Sequence, residues 1–223
     1  MTTGEPNHAD RDAARVRDMP DPRDNPSAAG GAMKRLFAWP YKAILAGLYR
    51  IGVRPWQLTI LSLALNVVVA VLLIRGRRLL PGLLLIPAGM ADVFDGGVAR
   101  LRGEAGRSGA FMDSVLDRVA DAIVFAALYW SLARLGQTVD AALALVTLVV
   151  TLLVSHLRAE AEAAGMTLSE GFFQRLERYL ATIAGLTIPG ALRPVLILLA
   201  TLGGVTVVQR GWSATRRAAR PSP

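Results

Sequence analysis

Residues 92–118 read DVFDGGVARLRGEAGRSGAFMDSVLDR, and this stretch decides how the rest of the chain is understood. Asp92 and Asp95 are three residues apart and Asp113 and Asp117 four apart, so within helices each pair shares one face. Between the pairs runs a short turn, Arg102 to Ser108, containing Gly103 and Gly106. Two helices folded antiparallel about that turn bring Asp95 and Asp113 to matching depth. At ~1.5 Å per residue both lie ~10 Å from the turn, with Asp92 and Asp117 one turn deeper. Four carboxylates converge on one point.

Convergent anions in a low-dielectric surrounding repel strongly unless a cation compensates them. A donor set of oxygen alone, without His or Cys, suits hard cations: magnesium (Mg²⁺) above all, or Mn²⁺ and Ca²⁺. Two such ions neutralise four carboxylates and can also hold a diphosphate between them. Gly96, Gly97 and Ala99 leave room beside the acids, Gly109 opens the facing helix, and Arg100 offers a bidentate fork to a phosphate. The plainer readings are that the acids pair with arginines such as Arg100 and Arg118, or line a water-filled ion path. Four acids at this spacing, with glycines opposite, favour the metal reading.

The flanking sequence supplies the solvent. Of the 223 residues 53% are apolar, the mean hydropathy is +0.41, and the apolar residues fall in long runs, which points to a bilayer. Spans are expected at 56–74, 79–98, 109–135, 139–157, 172–188 and 191–208. Residues 33–51 mix basic and large apolar side chains and read as an amphipathic helix on the membrane surface, with Pro40 near its first turns. The predicted fold is all-α and polytopic: about six transmembrane helices preceded by an interfacial helix. Residues 1–32 are expected to form a disordered cytoplasmic extension, 33–210 the membrane domain and 211–223 a basic cytoplasmic tail.

Charge agrees with that orientation. The net charge is +8, from 25 Lys and Arg against 17 Asp and Glu, and six crossings put the basic N-terminal helix, the 100–107 loop and the tail on the cytoplasmic side. Arg75, Arg77 and Arg78 disagree, falling in a loop this arrangement places outside. The absence of cysteine excludes disulfides, thiolate zinc sites and cysteine nucleophiles. An aromatic content of 6%, with few aromatics among the basic residues, speaks against a nucleic-acid partner.

The central stretch resembles the signature of the CDP-alcohol phosphotransferase (CDP-alcohol phosphatidyltransferase) family: D, two residues, DG, two residues, AR, eight residues, G, three residues, D, three residues, D. Here those positions are Asp92, Asp95, Gly96, Ala99, Arg100, Gly109, Asp113 and Asp117, without a mismatch. The resemblance implies transfer of a phosphatidyl group from a CDP-linked lipid, CDP-diacylglycerol, to a small polar alcohol, with release of CMP. It implies that Asp92, Asp95, Asp113 and Asp117 bind two divalent ions, with Asp117 also the base for the acceptor hydroxyl. Gly96, Ala99 and Gly109 would give the nucleotide space and Arg100 a phosphate contact. Thr59, in RPWQLT, matches a threonine that contacts the nucleotide after a Pro-Asn pair, although Trp56 stands in place of the Asn.

Residues 155–165 and 174–179 look most like the phosphatidylinositol phosphate synthases of actinobacteria. That resemblance makes Arg158, Arg175 and Arg178 the acceptor-phosphate site, although Glu160 stands where a second basic residue is expected. The alternative role for these arginines is interfacial anchoring. Inositol phosphate leads as acceptor, with glycerol phosphate next. A divalent-cation transporter or an inactive scaffold are the readings outside the class. His156 reads as a packing or interface residue, and Asp121 as a partner of Arg118 or of the metal site. The implied setting is a multi-pass protein of the plasma membrane, a homodimer, with active site and termini facing the cytoplasm.

Overall fold

The computed structural model describes residues 28–164 and 175–218, together with residues 16, 19 and 20. Seven helices account for the regular structure of the described residues: α1 (Ala28–Arg50), α2 (Pro55–Ile74), α3 (Leu79–Leu101), α4 (Arg107–Arg134), α5 (Thr138–Ala163), α6 (Arg175–Thr187) and α7 (Leu192–Ala218). The all-α expectation holds. Most of the 1–32 extension and the end of the basic tail lie outside the described residues, as do the first residues of the span expected at 172–188. Helix α1 begins at Ala28, so Pro40 falls well inside it, not in its first turns.

Four of the helices are long and apolar enough to cross a membrane: α2, α3, α5 and α7. Helices α4 and α6 are not among them, and the reason is chemical. The N-terminal half of α4 carries Asp113, Asp117, Arg118 and Asp121, followed by an uncharged run, AIVFAALYWSLA. Helix α6 has only 13 residues and begins RLER. Large apolar side chains lie exposed along the spans, among them Ile60, Val68 and Val71 on α2 and Leu83, Ile86 and Met90 on α3. Such a surface suits hydrocarbon and not water. This is a membrane protein.

The chain divides into two compact units. One comprises residues up to Leu65 together with Pro87–Leu116; the other comprises Asn66–Ile86 and Asp117 onward. In the first unit α1 is amphipathic, as expected: Tyr41, Leu45 and Tyr49, at spacing four, are buried, whereas Trp39 and Ile44 are exposed. The buried stripe packs with Leu58, Phe94 and Val98, and the Tyr41 and Phe94 rings stack with centroids 5.2 Å apart. Met19 joins this cluster, and Val16 packs against it. In the second unit α7 lies along α5 and α6. Val69, Leu73, Leu85, Leu128, Leu132 and Leu196 form the centre of its core.

The turn after α3 places the first unit's acids. Gly103 has φ +67°, the left-handed region that favours glycine. Glu104 N–H donates to the Ala99 carbonyl at 2.9 Å and Gly103 N–H to that of Arg100 at 3.3 Å. This closure of a helix C-terminus stops α3 at Leu101, about two and a half turns beyond Asp92, and lets α4 start at Arg107.

Candidate active site

Within α3, Asp92 and Asp95 lie on a face adjacent to that of Phe94 and Val98, which fill the core of the first unit. Asp113 lies in the second turn of α4. One carboxylate oxygen from each of Asp92, Asp95 and Asp113 comes within 4.8 Å of the other two. Of the four acids expected from the sequence to converge, three form the cluster among the described residues, and Asp117 is not one of them. Asp95 is buried, and Asp92 and Asp113 are half-buried. Three carboxylates so close, with nothing but oxygen to donate, could hold a hard divalent cation.

Thr59 is tied into the acidic cluster. From α2 its Oγ1 lies 2.7 Å from Asp95 Oδ2 and 3.2 Å from the Pro55 carbonyl oxygen. Its single hydroxyl proton is best used toward the carboxylate, because a bond to a charged acceptor is the stronger one. Thr59 thus holds one oxygen of Asp95 in place.

The small residues divide between two tasks. A Cβ on Gly96 would meet only Arg100 Nη1, at 3.7 Å, and one on Gly109 would meet nothing within 4 Å. Open space lies beside both, as expected. Gly97 differs: a Cβ there would stand 2.5 Å from Tyr41 Oη and 3.0 Å from Leu45 Cδ1, so this glycine admits α1 and not a ligand. Ala99 is half-buried on the same helix. Arg100 Nη2 reaches Tyr41 Oη at 3.4 Å, which leans its guanidinium along α3 over Gly96.

The second unit holds Asp117 and the arginines. Arg175 Nη2 lies 2.6 Å from Asp117 Oδ1, and Arg178 Nη2 donates to Asp121 Oδ2 at 2.8 Å. The acids are four apart on α4 and the arginines three apart on α6, so the pairs form two rungs joining the helices. Asp121 is accordingly a partner of Arg178. Arg118 donates to the Ser155 carbonyl at 3.1 Å. Arg158 points elsewhere from Arg175 and Arg178: its Nε donates to Glu162 Oε1 at 2.8 Å on its own helix, both side chains largely exposed. Glu160 and His156 are also exposed, 3.9 Å apart, which makes His156 a surface residue and turns the Glu160 charge toward its own helix.

One basic residue escaped the sequence reading. Arg210, on α7, is buried and donates from Nη1 to the Val154 carbonyl at 2.8 Å. It lies within electrostatic range of Arg158, Arg178 and Glu162. In the sequence it stands in the basic C-terminal run; only its interruption of the apolar pattern of α7 singles it out.

Comparison with known proteins completes the description. The model of the family described as CDP-alcohol phosphatidyltransferase matches residues 53–208. The chain belongs to this family. It shares 33% identity over 190 residues with the phosphatidylinositol phosphate synthase of Mycobacteroides abscessus, covering 82% of this chain and 86% of that one. The crystal structure of Mycobacterium tuberculosis phosphatidylinositol phosphate synthase with CDP-DAG bound superimposes with a TM-score of 0.71 at 31% identity, covering 78% of this chain and 92% of that chain. The structure of the same enzyme with manganese and citrate gives 0.70 at 29% identity, covering 82% and 93%. As a CDP-alcohol phosphatidyltransferase the chain is a transferase of phospholipid synthesis, and the aspartates of the family signature include the three that converge.

Proposed function

We propose that this transferase moves the phosphatidyl group of CDP-diacylglycerol to an inositol phosphate, releasing CMP. The observation that carries the donor half is the convergence of Asp92, Asp95 and Asp113 beside the open surface of Gly96 and Gly109. The oxygen-only set fits Mg²⁺ or Mn²⁺, and Asp92, Asp95, Asp113 and Asp117 would hold two such ions. When bound, divalent ions offset the charge of the diphosphate and of the departing CMP. Thr59 orients Asp95, and Arg100 takes a phosphate oxygen with its fork. Asp117 acts as proton acceptor for the attacking hydroxyl, with the Arg175 guanidinium 2.6 Å away to hold its carboxylate in place.

The acceptor half rests on an excess of positive charge. Arg210 lies within range of Arg158 and of Arg178, and against these three cations stand two acids, Glu162 paired with Arg158 and Asp121 paired with Arg178, a net positive balance suited to an anion arriving from solution. This favours a phosphorylated acceptor over a neutral polyol. On this reading the chain crosses the plasma membrane six times, with its site and termini facing the cytoplasm.

The deciding experiment offers purified protein CDP-diacylglycerol and Mg²⁺ with inositol phosphate, glycerol phosphate and free inositol separately, and weighs the lipid products. Product from inositol phosphate, abolished by chelator and restored by Mg²⁺ or Mn²⁺, is expected. Product from glycerol phosphate alone, or chelator-resistant turnover, overturns the assignment.

A further inference from the structure

Three turns of the second unit come together at one end, and that end is basic. Arg75, Arg77 and Arg78 lie between α2 and α3, Arg134 ends α4, and Arg193 opens α7. The turns are tied to one another: Arg78 Nη2 donates to Gln137 Oε1 at 2.7 Å, and Arg193 Nε and Nη2 donate to the two oxygens of Asp140 at 2.5 and 3.3 Å. Asp140 is the sole acid in these turns, so five arginines against one aspartate leave an excess of four positive charges. Arg75, Arg77 and Arg134 are exposed, and their side chains have no carboxylate partner among the described residues.

Helix dipoles account for part of this arrangement only. Cations are favourable at the C-terminal ends of α2 and α4, where Arg75 and Arg134 stand. Arg77 and Arg78 precede the N-terminus of α3, where the dipole opposes a cation. Gln137 answers Arg78; Arg77 has no such answer. The rim is apolar: Ile74, Leu79, Leu135, Val139 and Ile188 are all exposed, and Trp130, 54% exposed, lies one turn before Arg134. Tryptophan beside arginine above an apolar band marks the headgroup level of a bilayer.

We propose that this end is a binding surface for anionic phospholipid, with the phosphodiester held by the forks of Arg75, Arg77 and Arg134 and the acyl chains against Leu79, Leu135 and Val139. The apolar rim selects a lipid over a free phosphate. The net charge selects an anionic headgroup over a zwitterionic one, whose own ammonium already satisfies its phosphate. None of these residues belongs to the proposed catalytic machinery.

The test uses the full chain in chelator, so that metal-held lipid at the donor site does not contribute, in mixed nanodiscs of phosphatidylcholine and phosphatidylglycerol. Lipids retained on extraction are counted by native mass spectrometry. The wild type should enrich phosphatidylglycerol. The triple substitution Arg75→Gln, Arg77→Gln, Arg134→Gln should lower that preference roughly tenfold or more. The Arg→Lys triple should keep much of it, which separates loss of charge from misfolding. Inorganic phosphate, at ionic strength matched with chloride, should not displace the lipid. Equal phosphatidylglycerol enrichment in wild type and Gln triple, or displacement by inorganic phosphate, overturns the proposal.

Discussion

Oxygen atoms proposed to bind a metal must be held as well as present, and Thr59 holds one oxygen of Asp95. Thr59→Val keeps the shape and removes the hydroxyl, leaving Asp95 to rotate. Such supporting contacts are worth ~10–100-fold in metal affinity. Mn²⁺ titration followed by electron paramagnetic resonance should show weakening of that order, with Thr59→Ser close to wild type. Asp92→Asn, Asp95→Asn and Asp113→Asn should each weaken metal and CDP-lipid together. Asp117→Asn should abolish turnover while leaving most CDP-lipid binding. Equal loss of CDP-lipid binding in all four removes the separate role of Asp117. At this scale the sequence was legible where a helix fixes the relation, as in the convergence of Asp92, Asp95 and Asp113. It was silent on partners far apart along the chain. Nothing local to residue 117 announces Arg175, and nothing local to residue 59 announces Asp95, 36 positions away.

Helices α4 and α6 show why spans were harder to read than the site. The charged residues of α4 dilute its apolar signal, and α6 is short with a charged first turn. Their rungs, Arg175 with Asp117 and Arg178 with Asp121, compensate charge side by side. Arg175→Ala should therefore act on both partners of the reaction: kcat falls as Asp117 loses its guide, and the acceptor KM rises. Arg210→Ala should raise the acceptor KM roughly ten- to a hundredfold, the worth of one or two charge-assisted hydrogen bonds. The KM for CDP-lipid should stay within a small factor, and steady-state kinetics with each substrate varied will show the split. Elsewhere, α3 meets α6 at Gly82, where an added Cβ would lie 2.6 Å from Thr187 Cγ2 and 2.9 Å from Leu186 Cβ. Gly82→Ala should destabilise by about 1–3 kcal/mol through overpacking, read as a lower unfolding midpoint in detergent.

For the molecule as a whole, the absence of cysteine is an experimental gift. Single cysteines introduced at exposed positions can report sidedness without background. With six crossings, Arg77→Cys should react with a membrane-impermeant maleimide added outside cells. Arg107→Cys and Glu160→Cys should react only after permeabilisation. Labelling of all three from one side would remove the six-crossing arrangement. Arg75, Arg77 and Arg78 are the residues that the charge-asymmetry rule fits worst, because the rule counts loops and does not see what a loop touches. The structure gives Arg78 a partner in Gln137 and gathers the rest at one basic end, which no one-dimensional count could reveal.

The close approach of Tyr41 to Gly97 carries an evolutionary corollary. Because the hydroxyl of one stands where a methyl of the other would be, the two positions are free to drift only as a pair. Among relatives in which position 97 has acquired a side chain, position 41 should have lost its hydroxyl, as phenylalanine or something smaller. The Gly97→Ala variant should likewise be rescued by Tyr41→Phe more than by any change elsewhere in α1. Arg100 would then lose its 3.4 Å tether to Tyr41, so lineages that made the exchange should show their adjustment in the grip on the nucleotide lipid.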